Sequence, residues 1–369
     1  MQFLKQYKKL ITISAAIFIV LMVILLALVF YARKNKSIQK DSSVPVVVKD
    51  TVVSTPTINP GSNVKNTTPV KTETVTVPLP VGTDQFTVSL SDTPDTIATN
   101  LLNGGYIKDA SSFTSLIGSK TISPGAFKIS NKMTPVQLLQ VLSGKPYMKW
   151  VVIPPGLRKE EIAALLASNL GWTKTQTQEW ITKDTTTKPE YTEGVYAPDT
   201  YLIPVAEAPK DTATRLIAKF NEKFSPYLSQ FSAEDVKWTS AITLASIVQR
   251  EAANTSDMPL IAGILWNRLN QGMALDVDST LQYARGNIGN GWWAPITVAD
   301  KKIDSPYNTY THTGLPPHPI CNPSMAAIAA VLKPATTDCL YYLHDKNHVT
   351  HCAVTYAEHQ ANIATYLSN

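Results

Sequence analysis

The sequence predicts a mixed α+β protein that follows a single N-terminal transmembrane helix. Three observations support this fold class. Residues 10–32 are apolar and carry no charge. Between residues 84 and 172, short strand-like runs are each followed by an amphipathic helical pattern. From residue 236 onward the sequence is typical of helices, then of loops rich in aromatic residues, and it closes with an amphipathic helix.

The apolar segment has the length of a membrane span. As a helix, its 23 residues would extend over roughly 35 Å, enough to cross the hydrocarbon core of a bilayer. A cleaved signal peptide would have an apolar core of about 7 to 15 residues followed by a small-x-small cleavage site. The sequence LALVFYARK offers neither feature, so a transmembrane helix is the favoured interpretation.

The charge distribution argues against a nucleic-acid partner. The chain has 33 basic and 28 acidic residues, with a formal net charge of +5. Seven of the basic residues and none of the acidic ones lie in the first 40 positions, on both sides of the apolar segment, where they can attract anionic lipid headgroups. The remaining residues carry a slight acidic excess, which leaves no basic surface for nucleic acid.

The chain is predicted to have five parts. Residues 1–9 form a short tail and residues 10–32 the membrane helix. Residues 33–83 combine a basic flank with Ser-, Thr- and Pro-rich sequence, and this segment cannot bury enough apolar surface to fold, so we expect a disordered tether. Residues 84–172 form small αβ modules without a cluster of titratable groups. Residues 173–369 contain nearly all of the candidate site residues.

Glu251 is the first of these candidates. In the run ITLASIVQREA it lies four residues after Ile247 and three after Val248, so on an α-helix it shares their apolar face. Burial would favour the protonated carboxyl, which is what a general acid requires. The alternative is a glutamate at a frayed helix end, pointing into water beside Arg250.

Polar and aromatic loops follow this helix. One contains Asp276, Asp278, Ser279 and Thr280. Another, SPYNTYTHTGLPPHPICNPS, is dense in Tyr, Asn, Thr and Pro. Aromatic faces with amide and hydroxyl groups suit a sugar-binding groove, although a plain turn-rich loop fits the same composition.

These segments together resemble a known family. LASIVQREA, AGILWNRLNQGMALDVDSTLQY and PYNTYTHTGLPPHPICNPS occur in the order found in the YceG-like family of endolytic murein transglycosylases. The segment EGVYAPDTYLIP, expected to be a loop, is similar to another motif of that family. The resemblance implies LysM-like modules in residues 84–172, a catalytic domain in residues 173–369, a cytoplasmic N-terminus, and an extracytoplasmic enzyme anchored in the cell membrane.

The resemblance also assigns roles to residues. Glu251 matches the catalytic glutamate at the end of a Glu-Lys-Glu triplet, whereas Gln249 replaces the first acid of that triplet. It would act as general acid and then base on peptidoglycan, leaving 1,6-anhydro ends without a metal, a cofactor or a second carboxylate. The expected substrate-binding residues are Asn308, Tyr310, Arg268, Asp278, Thr280 and Gln282.

Several alternatives remain open at this point. Arg268 could instead form a structural ion pair, and Asp278, Thr280 and Gln282 could be turn or capping residues. Asp276 and Asp278 leave room for a two-carboxylate hydrolase. A non-catalytic peptidoglycan-binding scaffold of cell-wall synthesis is a further alternative. The family suggests cell-wall synthases as partners.

Besides Gln249, two further positions depart from the family pattern, and two clusters suggest other roles. Ser279 stands where the family usually has proline, and His318 where it usually has glycine. Cys339 and Cys352 could form a disulfide in an oxidising compartment or remain separate core residues. The histidines of HDKNHVTH have a spacing that could bind a transition metal, but a polar hairpin tip is the favoured interpretation; they are His344, His348 and His351.

Overall fold

The structure, a computed structural model, describes residues 82–367. The predicted tail, the predicted membrane helix and nearly all of the predicted tether lie outside these residues. Within residues 82–367, no helix is both long and apolar enough to span a membrane. Helices and antiparallel strands are both present, which confirms the predicted α+β class.

The first described region has its own hydrophobic core. It contains β1 (Asp84–Val88), α1 (Pro94–Asn103), α2 (Ala110–Ile117), β2 (Gly125–Ile129) and α3 (Pro135–Leu142). Its buried side chains, from Phe86 to Leu142, form the small core. Each helix starts where the sequence provides a cap: the side chains of Thr93, Asp109 and Thr134 accept backbone N–H groups of the first turn.

A four-stranded antiparallel sheet continues from this region into the next. Its order is β1-β2-β3-β4, where β3 is Met148–Ile153 and β4 is Asp199–Pro204. Strands β2 and β3 are joined by a single register pair, Ala126 with Met148. A Cβ atom at Gly125 would lie 2.5 Å from the Met148 carbonyl oxygen, so this close approach requires glycine.

Strand β4 corrects one expectation. The segment EGVYAPDTYLIP was expected to be a loop, but its second half pairs with β3 along six positions, from Asp199↔Ile153 to Pro204↔Met148. Tyr201 and Ile203 face the core, whereas Leu202 between them is only partly buried. A proline at each end of this short alternation conceals the strand in the sequence.

The second region is mainly helical and surrounds a large core that runs from Val151 to Val331. Helix α7 (Trp238–Glu251) lies at its centre, and residues 241–248 of that helix are all buried. A two-stranded hairpin, β5 (Tyr341–His344) paired with β6 (Thr350–Ala353), adds to this region. The elements are α4 (Lys159–Leu170), α5 (Lys174–Glu179), α6 (Pro209–Ala233), α7 (Trp238–Glu251), α8 (Met258–Asn270), α9 (Asp278–Arg285), α10 (Met325–Leu332), β5 (Tyr341–His344), β6 (Thr350–Ala353) and α11 (Tyr356–Tyr366).

The two cores divide the chain earlier than the predicted module boundary at residue 172. The small core ends at Leu142, and the large core begins at Val151. Helix α4, the helix of the third αβ unit, contributes Ile162 and Leu166 to the large core. The domain boundary at residue 172 therefore stays a prediction. The change from the small core to the large core lies about 25 residues before it.

Candidate active site

Glu251 is the last residue of α7 and is partly buried. The preceding turn of the helix contains Ile247 and Val248, both 0% exposed. The helix thus runs from the middle of the core to its edge, where its last residue carries the carboxyl group. The structure places Glu251 among hydrogen-bond donors of other elements, and its side chain does not simply extend into water beside Arg250.

Two hydroxyl groups donate hydrogen bonds to the Glu251 carboxyl. The Ser279 Oγ–H donates to Oε1 at 2.6 Å, and the Ser279 backbone N–H lies 3.4 Å from the same oxygen. The Tyr342 Oη–H donates to Oε2 at 2.7 Å. Each carboxyl oxygen therefore has its own donor. Sequence reasoning gave neither donor a role, although it noted Ser279 as a departure from the family pattern.

Ser279 reaches Glu251 because it lies in the first turn of α9. The residue before that helix, Val277, has no side-chain group with which to cap it. The Glu251 carboxyl occupies the place of a cap, beside N–H groups of the first turn that have no partner within the helix. The loop before α9 is fixed by Thr309, whose Oγ1 accepts the Val277 N–H at 3.2 Å.

Tyr342 reaches Glu251 from the β5–β6 hairpin. It pairs across the hairpin with Cys352, and Cys352 is bonded to Cys339 by a disulfide, which resolves the pairing that the sequence left open. Burial and the adjacent Glu251 carboxyl raise the pKa of Tyr342 above its usual value, so its hydroxyl keeps the proton that it donates. Cys321 is free and buried.

The three residues of the QRE triplet point in different directions. The Gln249 side-chain oxygen accepts the backbone N–H of Ser324 at 3.0 Å, just before α10. The Arg250 guanidinium lies 3.9 Å from the centroid of the Trp293 ring. Since successive helix positions rotate by about 100°, only Glu251 reaches the two hydroxyls. An amide at position 249 suffices because its role here is to accept a backbone hydrogen bond.

Asp278 and Tyr310 form an accessible pair next to this site. The Tyr310 hydroxyl donates to Asp278 Oδ1 at 2.6 Å, and Asp278 is exposed. Burial, together with the Asp278 carboxylate, raises the pKa of Tyr310. The Lys301 ammonium lies 4.4 Å from the centre of the Tyr310 ring. Because Asp278 directly precedes Ser279, this pair borders the Glu251 carboxyl.

Asn308 and Thr280 do not present the surface expected of substrate contacts, since both are 0% exposed. Asn308 donates to the carbonyl oxygens of Lys301 and Ile303, and its Oδ1 accepts the Tyr310 N–H. Thr280 donates to the Val277 carbonyl and contacts Thr309 Oγ1 at 2.9 Å. Both residues are bonded within the loops that carry accessible groups, and their expected contact with substrate stays a prediction.

Gln282 also bonds to the chain itself. Its side-chain nitrogen donates to the carbonyl oxygens of Trp293 and Ala294, each at 3.2 Å. Gln282 remains partly exposed. It therefore holds the aromatic loop around residues 292–294 against α9.

Arg268 joins the two segments that carry the hydroxyl donors. It is 7% exposed. Its Nε–H donates to the Leu340 carbonyl at 2.6 Å, two residues before Tyr342. Its Nη1 donates to Leu275 O at 2.8 Å and to Asp276 Oδ2 at 3.3 Å, shortly before Ser279. Partial burial raises the pKa of Asp276, although Arg268 opposes this effect. Every hydrogen bond described for this guanidinium is thus internal.

The histidine run forms a hairpin tip, as the favoured interpretation predicted. His344 in β5 pairs with Thr350, and His351 in β6 pairs with Leu343, while His348 lies between the two strands with a φ of 61°. The His351 ring contacts Asp345 Oδ2 at 3.1 Å and stacks on Tyr366. Across residues 82–367, no group of three or more His, Cys, Asp or Glu side chains is arranged to hold a metal ion.

His318 lies apart from Glu251. It is one of the residues that line a small cavity of about 20 Å³ next to Glu193 and Trp238, and Glu251 is not part of that lining. The ring is partly buried. The structure therefore associates His318 with the packing beside α7.

A comparison with protein families matches residues 86–365 to the YceG-like family. The chain belongs to the YceG-like family. Two relatives carry the name endolytic murein transglycosylase. The one from Streptococcus pneumoniae is 28% identical over 74% of this chain and 56% of its own length. The one from Bacillus subtilis is 28% identical over 74% of this chain and 82% of its own length.

The YceG-like fold is also found among solved structures. A crystal structure of a YceG-like protein from Listeria monocytogenes matches 75% of this chain and 98% of its own, with a TM-score of 0.54 and 25% identity. The chain spans little more than half the length of the pneumococcal relative. The family is thus established.

Proposed function

We propose that this YceG-like chain is a lytic transglycosylase that cleaves peptidoglycan glycan strands within their length. The names of its relatives support the reaction class. The observation that carries the proposal is Glu251: a carboxyl at the edge of the core, with a hydroxyl donor on each oxygen and an accessible polar pair beside it. Such a carboxyl is suited to transfer a proton at one fixed place.

The proposed reaction needs one acid. Protonated Glu251 gives its proton to the oxygen that links C1 of N-acetylmuramic acid to N-acetylglucosamine, and the bond between C1 and that oxygen breaks. The resulting carboxylate then takes the proton of the muramyl C6 hydroxyl as O6 bonds to C1. The products are a free N-acetylglucosamine hydroxyl and a 1,6-anhydro end, and water takes no part.

The neighbouring aspartates have other partners, which favours this mechanism over a two-carboxylate hydrolase. Asp276 is paired with Arg268, and Asp278 accepts the Tyr310 hydroxyl. Ordinary glycosidases need a second carboxylate as nucleophile or as the base that activates water. An intramolecular nucleophile removes that need. Asp278 and Tyr310 then serve as groups that bind the glycan beside Glu251.

The proposal extends to the rest of the chain. Residues 10–32 would anchor the protein in the cell membrane, with the enzyme on the extracytoplasmic side. The β-α-α-β order of residues 84–129 is compatible with a LysM-like unit that binds glycan. Cell-wall synthases are then the partners that supply nascent strands. No metal or cofactor enters the proposed reaction.

Digestion of purified peptidoglycan by the full-length chain tests the proposal. We expect internal fragments with 1,6-anhydromuramyl ends, identified by mass spectrometry. Glu251→Gln should reduce the rate by at least about 100-fold, because a positioned proton donor typically contributes 10²- to 10⁴-fold. Glu234→Gln, which changes an exposed carboxyl at the end of α6, is the matched control and should cleave normally.

The other outcomes separate the alternatives. Reducing muramyl ends among the products of the wild-type protein would indicate a hydrolase. If Asp278→Asn then lost activity, Asp278 would be the second carboxylate. Binding without any cleavage would indicate a scaffold. Cleavage by Glu251→Gln at the wild-type rate would show that another residue is the acid.

A further inference from the structure

The two hydroxyls on Glu251 come from segments that are distant from it and from each other in the sequence. Ser279 is 28 residues from Glu251, and Tyr342 is 91 residues from it. One lies at the start of α9 and the other in strand β5. Both side chains have packing of their own: Ser279 is 3% exposed, and Tyr342 packs against the large core. Each donor side chain is therefore held by packing as well as by its hydrogen bond to Glu251.

We infer that Ser279 and Tyr342 are positioning residues that hold the Glu251 carboxyl in one orientation and stabilise the carboxylate formed after it gives up its proton. This inference rests on the proposed function, because it assigns a role to both residues in that reaction. It goes beyond it by naming two residues that act through Glu251 without contacting the glycan.

The geometry explains why two donors are more effective than one. A single hydrogen bond leaves the carboxyl free to rotate about its last torsion, whereas donors on both oxygens fix its plane. A reacting group held in a fixed orientation loses little entropy on reaching the transition state. With the plane fixed, the lone pairs that remain free keep constant directions towards the glycosidic oxygen and later the C6 hydroxyl.

The charge balance favours the same role. When the glycosidic bond breaks, positive charge develops at C1 and negative charge at Glu251. Hydrogen bonds to a charged acceptor are stronger than those to a neutral one, so both hydroxyls bind the carboxylate more tightly than the acid. The Ser279 N–H and the start of α9 act in the same direction. Donors that strengthen as charge develops lower the barrier itself.

The surrounding structure keeps the donors apart at the right distance. Arg268 bonds the Leu340 carbonyl on one side and the Leu275 carbonyl on the other. The disulfide between Cys339 and Cys352 closes the base of the hairpin that carries Tyr342. One side chain thus links the segments that carry the two donors, and one covalent bond closes the hairpin that carries Tyr342.

Steady-state kinetics of Tyr342→Phe and Ser279→Ala in the full-length protein test the inference. Each variant removes one hydroxyl and little else. We expect kcat to fall by about 10- to 100-fold in each, the factor that one hydrogen bond to a charged group represents. We expect KM to stay within about threefold, because substrate contacts remain. Thermal unfolding of each variant checks that the protein is folded.

Two matched controls remove hydroxyls that do not contact Glu251. Tyr341→Phe changes the adjacent residue of β5, whose ring packs against Tyr356 and His359. Ser168→Ala removes an exposed hydroxyl of α4 that bonds its own helix. Both should retain wild-type kcat and KM. A merely structural role for Tyr342 or Ser279 would lower the unfolding temperature and leave the kcat of the folded fraction unchanged.

The outcomes distinguish failure of the inference from failure of the proposed function. Wild-type kcat in Tyr342→Phe and Ser279→Ala, with Glu251→Gln inactive, would overturn the inference alone. A raised KM with unchanged kcat would also overturn it, since the residues would then bind substrate. If the wild-type chain forms no anhydro ends, the proposed function fails first, and the inference fails with it.

Discussion

The helix caps of the small core and the polar contacts around Glu251 and Glu193 in the large core span very different distances along the chain. In the small core, α1 and α3 each begin with a threonine whose hydroxyl oxygen accepts the backbone N–H of the residue three positions later. In the large core, the decisive polar contacts join residues 28, 91 and 129 positions apart, as in Glu251 with Ser279, Glu251 with Tyr342, and Asn322 with Glu193. Local contacts build a stable module, and distant contacts build a site.

Removing Arg268 should have the largest effect, because it interrupts several of these distant contacts at once. Arg268→Met removes the donor to the partly buried Leu340 carbonyl oxygen and to the buried Leu275 carbonyl oxygen. We expect the free energy of unfolding to drop by on the order of 3 kcal/mol. We also expect cleavage by the protein that remains folded to fall at least about tenfold, because both donors to Glu251 lose their support. Urea unfolding and a peptidoglycan digest measure the two effects.

An exposed arginine provides the control for this prediction. Arg215, on α6, pairs with Glu207 near the surface. Arg215→Met should change stability by less than about 1 kcal/mol, as surface ion pairs usually do, and should leave cleavage unchanged. Equal effects of the two substitutions would contradict the special role of distant contacts around Glu251.

Glu193 makes the large core sensitive to pH. Its carboxyl is 1% exposed and accepts hydrogen bonds from Asn322 Nδ2 and from the backbone N–H groups of Lys159 and Gly194. Burial, assisted by the nearby charge of Glu160, raises the pKa of Glu193 from 4.5 to about 7. The folded state therefore keeps a proton that the unfolded chain releases.

The sign of the pH effect follows from that difference. The contribution of Glu193 is fully present below about pH 4.5 and is lost as the pH rises through about 7. By pH 8 the loss should approach about 3 kcal/mol. Urea unfolding between pH 5 and 8 measures it, and Glu193→Gln should show a flatter pH dependence. An unchanged slope in that variant would remove Glu193 as the cause, and exposed Glu190→Gln serves as control.

The disulfide is a covalent link next to Tyr342. Its removal should reduce stability somewhat less than the changes at Arg268 and Glu193. Cys339 and Cys352 are separated by 13 positions. Replacing both by serine should reduce the free energy of unfolding by about 2 to 3 kcal/mol, since a loop of this size is freed in the unfolded chain. Cleavage should also fall, because Tyr342 loses part of its support. Urea unfolding and the peptidoglycan digest follow both quantities.

A reductant gives the control for this prediction. It should bring the wild-type protein to the stability of the double variant and leave the double variant unaffected. If the reductant weakens both proteins equally, its effect does not come from this disulfide.

The same contrast explains what the sequence could predict. Local patterns predicted α1 and α3 of the small core, the apolar face that carries Glu251, and the polar hairpin tip, but not the helix α2. They could not predict that Tyr342 donates to Glu251, because nothing in either segment encodes a pairing across 91 residues. Asn308 was expected to contact substrate, but turn geometry buries it under its own loop. The chemical type of the site residues was predictable from the sequence, whereas the direction in which each side chain points depended on the fold.

The smallest effect should come from a local contact of the small core. Thr134 caps α3 by accepting the Gln137 N–H, while the Gln137 side chain accepts the Thr134 N–H. Thr134→Ala should cost about 1 kcal/mol of stability, the usual value for a lost cap. Cleavage at a temperature where the protein is folded should stay at the wild-type rate, because no distant contact to Glu251 passes through α3.

Thr134→Ser separates the cap from the side-chain volume, since it keeps the hydroxyl and loses only a methyl group. It should retain most of the stability that Thr134→Ala loses. A large drop in cleavage for the alanine variant, with the serine variant normal, would show that the cap of the small core also supports the site. The division between local contacts that stabilise and distant contacts that position Glu251 would then be too strict, and the small core would have to be treated as part of the enzyme.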